Sequence, residues 1–370
     1  MMELSRRDWL RGCTAGLAAT MAPGCTLGNL SPSDGYSVIV LGDTHYDKAP
    51  ETVYHKAYPG RDVSKRLEGI QRAEFARNGE MWATRIPRLL AAAKTARRED
   101  TAFALQVGDL IQGDCNDGAV HAQMATDAYT AIRGALGNDL PLRLVVGNHD
   151  IRNGRHDDAA GFYRNWMNAR MTEACGAPVS CTTFAYRQGP DLWIHVDFTD
   201  PRMDVVEKAL ADRPDARYTF LVTHGPVIPS DGGSCQWMLY GGDRHAQERR
   251  HLWSLLERRH AIVIAGHTHT TELTECVRPA GRLVQVIVNS VWKSEDLATA
   301  VPQYVSPEKY GSAQTKPANR AFLAEYRPSM TRHYRSPGAG FCRLEVASDG
   351  VFARIYGGDA RTPYLNWKLR

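Results

Sequence analysis

The sequence predicts an α/β fold in which helices cover a largely parallel sheet. Five short apolar runs have the length and the unbroken hydrophobicity of strands that are buried on both faces. Segments with apolar residues at helical spacing lie between several of these runs, and such alternation of strands and helices is typical of parallel sheets. Apolar residues make up 43% of the chain and charged residues 23%, which excludes a wholly disordered protein.

Each predicted strand ends abruptly at a cluster of polar residues. The strands are predicted at 38–41, 102–107, 142–146, 218–222 and 261–265. The predicted helices occupy 80–98, 120–136 and 244–259. The polar side chains that follow the strands are Asp43, His45, Asp109, Asn148, His149, Asp150, His224, His267 and His269. In open α/β sheets ligands bind beyond the carboxyl ends of the strands, so this edge is the predicted functional site.

The segments around these motifs define the predicted domain boundaries. Residues 37–297 are predicted to form the core domain, with an insertion at 46–79 between the first two strand motifs. Residues 298–340 contain several prolines and are predicted to be an irregular excursion or a lid. Residues 341–370 are predicted to complete the core as a hairpin that turns at Asp349-Gly350.

The first 24 residues have the composition of an export signal rather than of a folded segment. The pair Arg6-Arg7 precedes a stretch of small and apolar residues, an order that resembles the twin-arginine signal of bacteria. Residues 25–36 are predicted to be a linker. We therefore expect the twin-arginine export machinery as a partner and a periplasmic or cell-surface location. Gly24-Cys25 also fits a site of lipid attachment, and ordinary signal cleavage nearby fits equally well.

Composition limits the partners that the chain is expected to have. The formal net charge is +4 and no long basic block occurs, whereas nucleic-acid binders usually carry a clustered basic surface. No dedicated nucleic-acid partner is therefore expected. No apolar run approaches the roughly 18 residues of a membrane-spanning helix. In an exported chain cysteines can form disulfides, and Cys175 and Cys181 are the nearest local pair.

The ligand chemistry of the polar clusters points to metal ions. Carboxylates and neutral imidazoles are metal donors, and the side-chain oxygen of Asn is another. Seven of the side chains are suitable, namely Asp43, His45, Asp109, Asn148, His224, His267 and His269. A tetrahedral site takes about four ligands, so a single ion would leave several of them unused. Two ions that share one carboxylate would use the whole set.

The order of these motifs resembles that of the calcineurin-like metallophosphoesterases. In that family Asp-x-His, Gly-Asp, Gly-Asn-His-Asp/Glu, His and Gly-His-x-His follow one another, and every block occurs here between residues 38 and 269. Each block alone is a weak signal, whereas the ordered set is specific. The resemblance implies a mixed β-sandwich flanked by helices and an enzyme that hydrolyses phosphate esters.

The resemblance also implies a role for each ligand. One metal would be held by Asp43, His45 and His269, and the other by Asn148, His224 and His267, with Asp109 as the bridge. Two divalent or trivalent transition-metal ions are implied, and the mixed donors fit Mn, Fe, Zn or Co. Purple acid phosphatases, which resemble this family, carry a tyrosine where this chain has Gln112, so an iron–tyrosinate centre is not expected.

The implied reaction is attack of a metal-bridging hydroxide on the phosphorus of a phosphate mono- or diester. His149 would be the general acid that protonates the leaving oxygen, and Asp150 would orient its ring. Three alternatives stay open. They are a phosphomonoesterase (a nucleotidase or a protein phosphatase) rather than a phosphodiesterase, a nuclease of the same family, and a non-catalytic metal-binding scaffold.

Loops near the motifs supply the candidate substrate contacts. Arg152 follows the predicted general acid closely and could meet the phosphate. Trp237 and Tyr240 lie in the glycine-rich stretch after the fourth strand, and loops at this sheet edge commonly carry function. The insertion at 46–79 could cap the site or could be a solvated excursion. His195 lies in an alternating apolar segment and is predicted to be a core histidine rather than a ligand.

Overall fold

The computed structural model describes residues 35–48, 65–115, 117–152, 158–231, 235–299, 306–312 and 314–370, with residues 65–72 described by their backbone alone. All of them belong to one compact unit, Ser31–Arg370. The predicted export signal, the predicted linker up to residue 34 and residues 49–64 of the predicted insertion lie outside the described residues. Among the helices of the described ranges, none combines the length and the apolar character needed to cross a membrane.

The strands of the described residues form two sheets. In chain order they are β1 (Tyr36–Leu41), β2 (Thr101–Gln106), β3 (Leu142–Leu144), β4 (Phe184–Gln188), β5 (Asp191–Val196), β6 (Thr219–Thr223), β7 (Ile262–Ala265), β8 (Thr271–Arg278), β9 (Gly281–Ile287), β10 (Met330–Ser336), β11 (Gly340–Ala347), β12 (Gly350–Gly357) and β13 (Leu365–Lys368). The first sheet has the order β13-β12-β11-β1-β2-β3, and the second has the order β10-β8-β9-β7-β6-β5-β4.

Helices cover the outer faces of these sheets. They are α1 (Lys65–Glu80), α2 (Ile86–Thr95), α3 (Gly118–Leu136), α4 (Ala159–Cys175), α5 (Met203–Asp212), α6 (Ala246–Arg258) and α7 (Pro317–Ala324). A π-helical turn, Met81–Arg85, joins α1 to α2. The Asp117 carboxylate caps α3 by accepting hydrogen bonds from the backbone N–H groups of Ala119 and Val120.

The core explains why the strand sequences are apolar on both faces. Val38 and Val40 of β1 point into a cluster between the two sheets, which Phe103 and Trp193 also share. The alternate residues of β1, such as Ile39, belong to a second cluster under α2, α3 and α4. A third cluster lies under α5 and α6 on the far side of the second sheet. Each central strand is therefore packed on both faces, and alternation with polar residues is not needed.

The predicted fold class is confirmed as a mixed β-sandwich flanked by helices. Strands β1, β2 and β3 run parallel, and so do β5, β6, β7 and β9. The other pairs are antiparallel, and they lie at the edges of the two parallel groups. The prediction of a largely parallel sheet, which rested on strand and helix alternation, is therefore right only for these two groups.

The chain after residue 297 differs from the sequence prediction. The stretch 298–340, predicted as irregular, contains α7 and the edge strand β10, which pairs with β8. The arginines of β10 interrupt the apolar pattern expected of a strand, although His333 and Tyr334 in it are buried. In the final hairpin Ala347 pairs with Gly350, so the turn residues are Ser348 and Asp349 rather than the Asp-Gly pair.

Two other local predictions are corrected by the structure. Residues 65–79 of the predicted insertion belong to α1, which continues through the π-helical turn into the helix predicted from residue 80. Cys175 and Cys181 are both thiols and form no disulfide. Cys175 is the last residue of α4, where Gly176 ends the helix with a φ of 64°.

Candidate metal centre and active site

The strand ends of both sheets bring the predicted ligands together at one edge of the sandwich. The contributing side chains follow five strands: Asp43 and His45 after β1, Asp109 after β2, Asn148 after β3, His224 after β6, and His267 and His269 after β7. Nearly all of their surface is buried except at His267, His269 and Asn148, which face a cavity. The sequence could not show that two sheets share this edge.

One group of ligands consists of Asp43, His45 and His269, whose donor atoms lie within 4.8 Å of one another. The Nε2 atom of His269 lies 3.1 Å from Oδ2 of Asp43 and 3.0 Å from Nε2 of His45. The Asp43 carboxylate also accepts a hydrogen bond from the backbone N–H of His267 at 2.9 Å. These three side chains are the set that the sequence assigned to one metal.

The second group consists of Asp109, His224 and His267, with Asn148 beside them. The Nε2 atom of His224 lies 3.2 Å from Oδ2 of Asp109, 3.2 Å from Oδ1 of Asn148 and 2.9 Å from Nδ1 of His267. Asp109 Oδ2 also lies 3.8 Å from Nε2 of His45, so this carboxylate stands between the two groups. Its position suits the bridging role that the family pattern implies.

The donor chemistry of the second group fits a cation. His224 donates from Nδ1 to the carbonyl of Val107 at 2.8 Å, which leaves Nε2 directed at the oxygen atoms of Asp109 and Asn148. Burial lowers the pKa of His224, but the Asp109 and Asp43 carboxylates outweigh it and raise the pKa to about 9. A proton or a metal ion can satisfy these converging acceptors. Metal binding would therefore release the proton from His224.

The other ligands already favour the charge states that metals require. Burial lowers the pKa of His45, and burial together with His224 lowers the pKa of His267 to about 3, so both rings are neutral. Burial opposes ionisation of Asp109, but the nearby histidines outweigh it and hold the pKa of this carboxyl well below its usual value. Neutral imidazoles and ionised carboxylates are the ligand forms.

Several ligands are held in a strained backbone conformation. His45, Asp109, His267 and His269 have φ values of 43°, 52°, 72° and 52°, which lie in the left-handed region. For residues other than glycine this region costs about 1–3 kcal/mol each and is concentrated at functional sites. The surrounding contacts must therefore hold these four side chains in position.

The glycines before the ligands allow close approach of neighbouring groups. A Cβ atom at Gly266 would collide with Oδ1 of Asp43, and one at Gly147 would collide with the backbone N and Oδ1 of Asp109. A side chain at either position would therefore displace a carboxylate ligand.

His149 lies against the ligands and is held by backbone groups. Its backbone N–H donates to Oδ1 of Asp109 at 2.8 Å. Its ring Nδ1 donates to the backbone carbonyl of Gln112 at 2.8 Å. The ring packs edge-on to that of His45, with centroids 4.7 Å apart. The Nδ1–H bond leaves Nε2 as the atom that can exchange a proton. Burial lowers the pKa of His149; the Asp109 carboxylate opposes this shift and the Arg152 guanidinium adds to it.

The Asp150 carboxylate, which was predicted to orient His149, accepts hydrogen bonds from backbone groups of the neighbouring loops. The donors are the N–H groups of Gly147 at 2.8 Å, Asp109 at 3.0 Å and Ile111 at 3.1 Å. Asp150 therefore joins the ends of β2 and β3. Burial and the charge of Asp109 raise the pKa of Asp150 to about 7.

Gln112 is the residue that holds the His149 ring, and sequence analysis missed this role. Its side-chain oxygen accepts from Nδ2 of Asn78 at 2.9 Å, and its Nε2 donates to Glu74 at 3.2 Å. Its backbone N–H donates to the carbonyl of Tyr46 at 3.0 Å. Gln112 thus connects α1 to the proton-exchanging histidine. Only its position in the motif, three residues after Asp109, marked it in the sequence.

The candidate substrate contacts all lie on one cavity of about 630 Å³ that opens from the ligands. Arg152 reaches it while its Nε contacts Asp114 Oδ2 at 2.6 Å, and its Nη2 lies 3.0 Å from Nδ1 of His149. Trp237 and Tyr240 form part of the wall, as the sequence predicted. Phe198, Arg244 and His245 were missed as wall residues. Phe198 follows the end of β5, so a further strand end was the available signal.

Three solved structures are similar to this chain. The structure of a dimetal phosphatase from Danio rerio aligns with a TM-score of 0.52 and 12% identity over 91% of this chain and 100% of that chain. PhoD aligns with a TM-score of 0.49 and 11% identity over 94% and 70% of the two chains. GAP50, described as the anchor in the inner membrane complex of Plasmodium, aligns with 0.47 and 14% over 91% and 89%.

Comparison with sequence families is more specific. No curated protein matches the chain significantly. The family profile described as calcineurin-like phosphoesterase matches residues 36–271, which include every predicted ligand. This match covers more than half of the chain. The chain therefore belongs to the calcineurin-like phosphoesterase family.

Proposed function

We propose that this chain is a dinuclear-metal phosphoesterase that hydrolyses phosphate mono- or diesters. The observation that carries the proposal is the convergence of the seven metal donors beside His149, with several of them lining the cavity. Family membership supports hydrolysis of phosphate esters in general. The donor geometry supports two metal positions separated by the Asp109 carboxylate.

The residues that would hold the metals follow from the two groups. They are Asp43, His45 and His269 on one side, and Asn148, His224 and His267 on the other, with Asp109 shared. When bound, the ions supply Lewis acidity and a water molecule that is deprotonated at neutral pH. Mn, Fe, Zn and Co all accept this mixture of nitrogen and oxygen donors.

The other residues of the site would bind and protonate the substrate. His149 lines the cavity, and its ring in the imidazolium form would donate the Nε2 proton to the leaving oxygen, while the Nδ1 proton stays hydrogen-bonded to the Gln112 carbonyl. Arg152 adjoins the same ring and would contact phosphoryl oxygens with its guanidinium. Asp114 contacts Nε of that guanidinium and would keep it in place.

Metal removal tests this function. Chelation of the purified protein should abolish hydrolysis of both p-nitrophenyl phosphate and its bis ester, and readdition of a transition metal should restore it. The ratio of the two rates identifies the monoesterase or the diesterase. A DNA-degradation assay on the same samples tests the nuclease. Turnover that persists in protein with no detectable metal would contradict the proposal, and so would loaded protein that hydrolyses none of these esters.

We also propose that the protein is exported, with the arginine pair at residues 6–7 as the supporting feature. Lysine at both positions should retain the protein in the cytoplasm, because twin-arginine signals are read as an address. Cell fractionation with an antibody measures this. Unchanged export of the double-lysine variant would contradict the proposal. Labelling with a radioactive fatty acid, compared between wild type and Cys25→Ser, tests lipid attachment.

A further inference from the structure

The cavity extends well beyond the space that a phosphate group needs. Its volume is about 630 Å³, within the range of sites that bind organic molecules of drug size. His149 and four of the metal ligands, Asp109, Asn148, His267 and His269, are among the residues that line it. A phosphate held beside them would leave most of the cavity for the organic part of the ester, so the remaining wall selects the substrate.

That wall carries aromatic side chains next to the ligand His267. The Trp237 ring lies 5.4 Å from the His267 ring, and the Phe198 ring lies 5.1 Å from it on the cavity side. Trp237 is 59% exposed, so its ring is free to contact a ligand in the cavity. Phe198 is partly buried and packs on His224 as well, with centroids 5.6 Å apart. The aromatic faces therefore form a built surface beside the metal centre.

The charges of the cavity distinguish two classes of ligand that aromatic walls bind. Aromatic rings bind quaternary ammonium groups by cation–π attraction, and they also stack on neutral planar bases. Arg152 and Arg244 line the same cavity, and their guanidinium charges would repel a fixed positive charge. They would also attract the negative charge of a phosphate ester. A neutral planar group attached to a phosphate fits both the rings and the charges.

We propose that Trp237 and Phe198 form a stacking subsite for the base of a nucleoside phosphate. This proposal rests on the proposed function, because it places the phosphate of that ligand at the metal centre. The subsite recognises a planar face rather than a particular base, since stacking tolerates all bases. The exposed Trp237 ring is then the surface that substrate binding covers.

Adenosine 5′-monophosphate and ribose 5-phosphate provide the matched test, because they share the phosphate and the sugar and differ by the base. Each is measured as a competitive inhibitor of chromogenic ester hydrolysis by the metal-loaded protein. The nucleotide should bind more tightly by about 5- to 150-fold, the range that stacking of one base supplies. Equal inhibition constants for the two compounds would overturn the proposal.

Variants connect this preference to the ring. Trp237→Ala should reduce the ratio of the two inhibition constants towards one, and Trp237→Phe should retain part of it. Val277→Ala removes another exposed apolar side chain outside the cavity and should leave the ratio unchanged. A ratio that survives in Trp237→Ala would also overturn the proposal.

The two proposals can fail separately. If the protein hydrolyses no chromogenic ester, the proposed function fails, and the same pair of ligands is then compared by titration calorimetry. Tighter binding of the nucleotide, lost in Trp237→Ala, would support the subsite even then. Equal affinities in calorimetry would overturn it.

Discussion

At the scale of single residues, the site depends on groups that its motifs do not name as ligands. The carboxylate of Asp150 and the carbonyl of Gln112 form no contact with the metal positions in the described chain, yet each fixes a residue that lies there. Four ligands adopt left-handed backbone conformations, which are maintained only when surrounding contacts hold them. Individual substitutions should therefore distinguish residues that take part in the reaction from residues that hold those side chains in position.

Replacement of His149 by alanine should reduce turnover by about 10²–10⁴-fold, the usual contribution of a general acid. The metals should remain, because the ring lies beside the ligands and its N–H bond to Asp109 is a backbone bond. Steady-state kinetics and metal analysis of the same sample measure both quantities. His251→Ala, at an exposed histidine on α6, is the control. Loss of metal in His149→Ala would contradict the assigned role.

Replacement of Asp150 by asparagine distinguishes the two interpretations of this residue. The structure predicts a loss of stability of about 1–3 kcal/mol, because an amide cannot accept all three backbone hydrogen bonds at this buried position. Metal affinity should fall with it, since Asp109 is one of the residues held. Urea unfolding measures the free energy. A fully stable, metal-loaded variant with low turnover would instead restore the role of Asp150 in orienting His149.

At the scale of elements, helix α1 acts as part of the active site. Its side chains Asn78 and Glu74 hold the amide of Gln112, and the carbonyl of the same residue holds His149. The sequence predicts that candidate ligands follow the strands, because each motif is continuous in the chain. It could not predict this connection, because Asn78 and Gln112 are far apart in sequence and neither carries chemistry by itself. Strand β10 was not predicted for the same reason, since its burial depends on pairing with the distant strand β8.

Replacement of Asn78 by alanine should lower kcat by about 10–100-fold, as found for residues that support a catalytic group indirectly. KM and metal content should change little, because the described hydrogen bonds of the Asn78 side chain are to Gln112 and Arg77 and not to a metal ligand. Thr84→Ala, in the π-helical turn after α1, is the matched control at an exposed position. An unchanged kcat in the Asn78 variant would show that α1 does not position His149.

At the scale of the whole molecule, the sandwich brings ligands from two sheets to one edge and packs every central strand on both faces. The sequence predicted the central strands well and indicated which side chains meet at their ends, because apolar runs and strand-end motifs are continuous in the chain. The division into two sheets came from the family resemblance, since periodicity cannot assign a strand to a sheet. The cavity wall was predicted only in part, because Phe198 and Trp237 meet through folding.

The buried histidine His195 makes folding stability depend on pH. It is fully buried, donates from Nδ1 to the carbonyl of Leu144 at 2.9 Å, and burial lowers its pKa to about 3. In the unfolded chain His195 binds a proton near pH 6.5, whereas in the folded chain it stays neutral down to about pH 3. The contribution of His195 to the free energy of unfolding is therefore fully present above pH 6.5 and is lost as the pH falls below that value.

Between pH 7 and pH 5, His195 should account for a loss of about 2 kcal/mol in the free energy of unfolding. Urea unfolding of wild type and His195→Gln at both pH values measures this. The wild type should lose about 2 kcal/mol more than the variant between the two values. Equal losses would show that His195 is protonated in the folded protein, contrary to its burial.

The central claim is that the strand ends of both sheets hold two metal ions with Asp109 between them. Metal analysis after loading and removal of free ions tests it most directly. We expect about two ions per chain in the wild type and cooperative loss of both in Asp109→Ala, because both metal positions share this carboxylate. Asp139→Ala, at an exposed carboxylate paired with Arg97, should keep both. A single ion per chain in the wild type, or two ions retained in Asp109→Ala, would contradict a dinuclear site that is bridged by Asp109.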